Sequence, residues 1–126
     1  MEIEINNNSP EPVYEQIERQ IVKAVCLQQL VPGDSLPPIR QLANDLELNH
    51  NTVAKAYKLL ESQRVIHTAG RKGTFIQPDA LANIKLYQQQ QATYQLKTLA
   101  ASFQSRGMTH HEINQLLSDC ANGYQE

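Results

Sequence analysis

Two short amphipathic runs follow one another with only a few residues, around Glu47-Leu48, between them, and this spacing constrains the fold more than any other feature. In "SLPPIRQLANDLEL" the apolar residues Ile39, Leu42, Ala43 and Leu46 recur at helical spacing. In "LNHNTVAKAYKLLE" Val53, Ala56, Tyr57 and Leu60 do the same. Pro38 suits the first turn of the earlier helix, where no backbone N–H is needed. Asn49 suits the N-cap of the later one. Two helices joined so closely read as a helix-turn-helix.

The flanks complete a small domain. Residues 1–11 read as an extended arm, and "VYEQIERQIVKAVCLQQL" places Val13, Ile17, Ile21, Ala24 and Val25 on one helical face that the turn "VPGD" ends. After the helix pair, Val65–Thr68 and Thr74–Ile76 suit two short strands, with Gly70 and Gly73 bracketing Arg71 and Lys72 at the tip of a hairpin. The expected fold is mainly α: a winged helix-turn-helix of three helices and a β-hairpin wing over residues 1–78. Residues 79–126 form a helical C-terminal region of two helices. The first spans Ala80–Arg106 without Gly or Pro, about 40 Å at 1.5 Å per residue. Its Gln88–Gln91 run reads as exposed helix surface. Gly107 ends it, and Thr109 with Glu112 forms a capping box for the last helix. Ile113, Leu116, Leu117, Cys120 and Tyr124 line that helix's apolar face.

Composition removes several function classes. No stretch approaches the ~18 apolar residues of a membrane span. The start, "MEIEINNNSPEP", is acidic and polar, unlike a signal peptide. A cytoplasmic protein is expected. Cys26 and Cys120 match no metal spacing and lie beside apolar residues, so buried free thiols are expected, with a redox switch as the other reading. His110 and His111 diverge by about 100° on a helix and have no Cys or carboxylate at ligand spacing. With no nucleotide-binding glycine loop either, neither an enzyme, a cofactor nor a metal site is expected.

The net charge of −2 argues against a nucleic-acid partner, but its distribution argues for one. From His50 to Ile76 the basic residues Lys55, Lys58, Arg64, Arg71 and Lys72 face a single acid, Glu61, for a local charge of +4. On a helical wheel Asn51, Lys55, Lys58 and Ser62 lie opposite the apolar face. The second helix of a helix-turn-helix enters the major groove and offers its N-terminal residues to base edges. The amide of Asn51 can accept from and donate to adenine at once. His50 suits a guanine acceptor or a phosphate, Thr52 a phosphate oxygen, and Lys55 and Lys58 phosphates. Asn49 reads first as an N-cap and second as a base contact. Arg40 lies on the helix that crosses the DNA backbone and suits a phosphate. Arg71 and Lys72 reach the minor groove or its phosphates from the wing tip, where glycines permit close backbone approach.

The same residues carry a resemblance. Residues 36–76 are similar to the DNA-binding domain of GntR-family transcriptional regulators. The shared pattern is Leu36, Pro37, Arg40, Leu42 and Ala43, then Asn51–Tyr57, Leu60-Glu61 and Gly70–Ile76. "PVYEQIERQI" and "LVPGDSLP" resemble the family's first helix and the turn after it. The short helical tail resembles the YtrA-type subgroup. The resemblance implies a homodimeric cytoplasmic regulator, usually a repressor and often of transporter genes. It implies DNA contacts at Arg40, Asn49, His50, Asn51, Thr52, Lys55, Gly70, Arg71 and Lys72. Pro38 and His50 depart from the family's usual residues, and His50 should change base preference.

The tail has more apolar surface than one chain can cover. One stripe of the long helix carries Ala92, Leu96, Leu99 and Phe103, and another Ile84, Tyr87 and Tyr94. The last helix can cover only one of them, and the dimer interface is expected to draw on Ile84, Tyr87, Tyr94, Leu96, Leu99 and Phe103 together with Ile113, Leu116 and Leu117. The other stripe calls for a second copy of the chain, or for the chain's own DNA-binding domain. A two-fold dimer matches a palindromic operator. Two rivals stand beside this reading: a winged helix that binds protein, and a small-molecule effector site in the tail that no residue pattern reveals.

Overall fold

The computed structural model describes residues 2–123; Tyr124, placed above on the last apolar face, lies outside them. The arm runs extended from Glu2, turns at Asn7-Asn8, and enters α1 (Val13–Cys26) at Pro12. The arm is held by Ile3 and Ile5, which pack against the core, and by its backbone. Gln16 is buried, its Oε1 accepting the Asn6 N–H at 2.9 Å and its Nε2 donating to the carbonyls of Asn6 and Glu11. Gln20 repeats the pairing one turn later on the N–H and carbonyl of Glu4. A buried amide without such partners costs about 1–3 kcal/mol, so the arm satisfies α1 as much as α1 fixes the arm.

α1 turns Ile17, Ile21, Ala24 and Val25 inward. α2 (Ile39–Leu46) starts one residue after Pro38, which stands at the N-cap, and buries Leu42 and Ala43. It ends at Glu47, whose φ of 55° is left-handed. That turn lets the Leu48 N–H reach the Ala43 carbonyl at 2.8 Å and leaves three residues before α3 (His50–Ser62). α3 buries Val53, Ala56, Tyr57 and Leu60 against α1 and α2. The Tyr57 hydroxyl donates to the Pro37 carbonyl, and burial pushes its phenol pKa up.

The wing differs from a plain hairpin. β1 (Ser35–Leu36), β2 (Ile66–Thr68) and β3 (Thr74–Ile76) form an antiparallel sheet in the order β1-β3-β2. Ser35 pairs with Phe75, and Ile66 with Ile76. β1 went unpredicted because two residues between "VPGD" and Pro37-Pro38 are too few to show alternation. Ile66, Ile76 and Leu36 join the helices in one core.

α4 (Ala80–Ser105) follows, and the chain divides into the units Met1–Tyr87 and Gln88–Glu126. The division falls later than the punctuation at Pro78 because Ala80 and Ile84 belong to the first unit's core. Ile84 is therefore a correction to the expected association surface: it is consumed inside its own chain. In the second unit Gly107 (φ +99°) breaks the chain, and α5 (His110–Asn122) carries the capping box. Thr109 Oγ1 accepts the Glu112 N–H at 3.2 Å, and Glu112 accepts the Thr109 N–H at 3.0 Å, which lowers the Glu112 pKa. Ile113 is buried within the chain too, a second correction to the surface named for dimerisation.

Cys26 and Cys120 are both exposed, against the expectation of buried thiols. Cys26 lies one helical step beyond Val25, already turned off the inner face. Cys120 follows Leu116 and Leu117, which are themselves exposed. Among the described residues no helix is long and apolar enough to cross a membrane.

The Tyr57–Pro37 bond fastens α3 to the segment before α2. Tyr57→Phe removes it without changing the ring, and should cost about 1 kcal/mol of unfolding free energy, read by urea denaturation with an unchanged m-value.

Candidate nucleic-acid interface

The outer side of α3 is set by its inner one. With Val53, Ala56, Tyr57 and Leu60 fixed in the core, His50, Asn51, Lys55, Lys58 and Ser62 are exposed and Thr52 is half-buried. Asn49 is the N-cap: its Oδ1 accepts the Asn51 N–H at 2.8 Å. This commits the Asn49 side-chain oxygen to the helix and leaves its amide N–H groups outside the cap. The first turn of α3 contains no acid, so the partial positive charge of the helix start is not neutralised there, where His50 and Asn51 stand.

Arg40 is exposed in the first turn of α2. At the wing, Gly70, Arg71 and Lys72 form one exposed 3-10 turn. Gly70 (φ +57°) and Gly73 (φ +114°) adopt the left-handed conformations that close it, and the Ala69 N–H bonds to the Gly73 carbonyl at 2.8 Å. Glu61, the one acid in the basic segment, accepts from Thr68 Oγ1 at 3.0 Å and so ties the end of α3 to β2. Among the described residues the one ion pair is Arg19–Glu11 at 3.0 Å. Arg40, Lys58, Arg71 and Lys72 thus keep their charge for a partner.

Lys55 has a neighbour that the sequence did not announce. Its Nζ sits 4.0 Å from the centroid of the Tyr14 ring on α1. The Tyr14 hydroxyl donates to Glu15 Oε1 at 3.2 Å, and that bond raises the phenol pKa. No spacing links residue 14 to residue 55, so only the packing of α1 on α3 could reveal the pair.

Of the apolar tail residues, Tyr94, Leu96, Leu99, Leu116 and Leu117 are exposed, Tyr94 by 69%. Tyr87 and Phe103 are half-buried. Leu86, which entered neither stripe, is exposed as well.

Comparison with known proteins agrees with this geometry. The model of the bacterial regulatory proteins of the gntR family matches residues 13–76. The chain is 36% identical over 126 residues to the HTH-type transcriptional repressor YtrA of Bacillus subtilis, covering 96% of each. A transcriptional regulator from Oenococcus oeni superposes with a TM-score of 0.66 at 34% identity, over 93% of this chain and 97% of that one. YtrA from Sulfolobus acidocaldarius, a GntR-family transcription factor, superposes with a TM-score of 0.58 at 33% identity, over 73% of this chain and 97% of that one. A chain matched by the family model from α1 through the wing, and similar to a YtrA regulator over nearly its whole length, belongs to the GntR family of bacterial DNA-binding transcriptional regulators.

Proposed function

We propose that this regulator is a cytoplasmic homodimeric repressor that binds a two-fold-symmetric operator. The winged helix binds the DNA, and the helices after Pro78 join the subunits. The observation that carries the DNA-binding part is the outer face of α3, polar at its N-terminus and basic along its length, with the wing-tip cations unpaired among the described residues. In this reading Asn51 and His50 meet base edges. Thr52, Lys55, Lys58 and Arg40 meet phosphates, and Gly70, Arg71 and Lys72 meet the backbone or minor groove beside them. Asn49 acts chiefly by holding the helix start in shape. Dimerisation rests on the exposed Tyr94, Leu96, Leu99, Leu116 and Leu117, a surplus of apolar surface that a second copy would cover. The repressor assignment follows the relative from Bacillus subtilis, which bears that name.

Selection of sites from a random duplex pool at fixed moderate salt tests the whole reading. A two-fold-symmetric consensus is expected; an asymmetric half-site bound by a monomer would overturn the dimeric operator.

Asn51→Ala should cost roughly 1–3 kcal/mol at one base position and relax selection there; undiminished discrimination would remove Asn51 as a reader. Lys72→Ala should weaken binding to all sequences alike and flatten the plot of log K against log salt by about 0.9 for each phosphate no longer neutralised. Leu99→Asp should shift the sedimentation profile towards monomer while the far-ultraviolet circular dichroism stays helical. An unshifted profile would place the interface elsewhere.

A further inference from the structure

We propose that Tyr14 is a positioning residue for DNA binding, holding the Lys55 ammonium over its ring so that Lys55 meets the phosphate backbone already in place. The inference rests on the DNA-binding reading of α3 and adds to it a residue from a different helix.

The geometry is specific. Lys55 stands on the exposed side of α3, beyond the first turn that reaches for bases. Tyr14 is the second residue of α1, and α1 packs directly on α3. At 4.0 Å from the ring centroid the ammonium lies well within the range of a cation–π contact. The ring covers one side of the charge only, because Lys55 remains exposed. A phosphate oxygen can therefore approach from the open side without displacing the ring. A free lysine is a flexible four-carbon stem that loses much of its rotamer freedom when it docks. One already laid against an aromatic face has given up part of that freedom before the DNA arrives.

The arrangement also separates roles. An ammonium drawn back towards α1 is directed to the backbone path rather than to the base edges facing the first turn of α3. Tyr14 and Lys55 together should set affinity, and leave sequence preference to Asn51 and His50.

Binding is measured on the duplex that the wild-type protein itself enriches from a random pool. Ordering a free lysine on docking costs a factor of roughly 2–12 in affinity, of which the ring bears about 3 per subunit beforehand, so Tyr14→Leu should weaken a two-subunit complex about 10-fold, with the salt slope and the selected consensus unchanged. Tyr14→Phe keeps the ring and should bind within about 2-fold of wild type. Lys55→Met should lower the salt slope, and adding Tyr14→Leu to it should change nothing further. Tighter or unaltered binding by Tyr14→Leu would mean that Lys55 leaves the ring to reach DNA, or that the ring plays no part, and would overturn the proposal. Additive losses, or a loss in Tyr14→Phe, would overturn it in favour of a direct hydroxyl contact. A wild-type protein that enriches no duplex would overturn the DNA reading of α3 along with it. Should Tyr14→Leu fold poorly, the ring-current shift of the Lys55 ε-methylene protons decides the matter in the wild-type protein. It should be upfield in the free protein and persist in the complex; its disappearance on binding would overturn the proposal.

Discussion

One side of α3 must be dry for its other side to be useful. Val53, Ala56, Tyr57 and Leu60 are buried against α1 and α2, and they fix the rotation of the helix about its own axis. Because side chains on a helix are locked to that rotation, fixing the apolar face fixes the heading of Asn51, Lys55 and Lys58. The Glu47 turn sets where the helix begins, and the Asn49 cap sets how its first N–H groups are exposed. In the proposed reading, stability and recognition thus use the same 13-residue element, in opposite directions.

Overall charge is a poor guide to such a molecule. The chain carries −2, yet the outer face of α3 and the wing expose Lys55, Lys58, Arg71 and Lys72, and the one acid in that segment, Glu61, is engaged with Thr68. The acids lie largely elsewhere, several along the arm and α1, where Glu11 pairs with Arg19. Acids farther off than a Debye length, about 10 Å at 0.1 M salt, are largely screened; Glu15, which accepts from the hydroxyl of the Tyr14 ring that carries Lys55, is nearer than that.

The helices were legible because their signal is periodic and local. The stripes of α1, α2 and α3, the capping box of α5 and the glycines of the wing all matched positions in the structure. What escaped the sequence depends on distant partners. β1 is two residues long and exists only because β3 runs beside it. Ile84 follows a helical stripe like its neighbours, but nothing in its own segment says that the winged helix, rather than another subunit, absorbs it. The same ignorance of neighbours misplaced Ile113 and the two cysteines. The Tyr14–Lys55 contact and the arm's amide pairings join residues with no shared spacing, so no pattern could have disclosed them.

The arm's attachment bears on how such a chain tolerates divergence. Gln16 and Gln20 grasp the main-chain atoms of Asn6 and Glu4, not their side chains. The arm can exchange its outward side chains and still be held, provided that Ile3 and Ile5 keep their apolar contact with the core and that neither gripped position becomes proline and loses its N–H. The helix enjoys no such latitude. A shorter amide at position 16 falls back from the arm, and an apolar one strands the main chain it served. In evolutionary drift the two halves of this contact are unequal: the arm supplies main-chain atoms that almost any residue carries, whereas α1 supplies two particular side chains, Gln16 and Gln20.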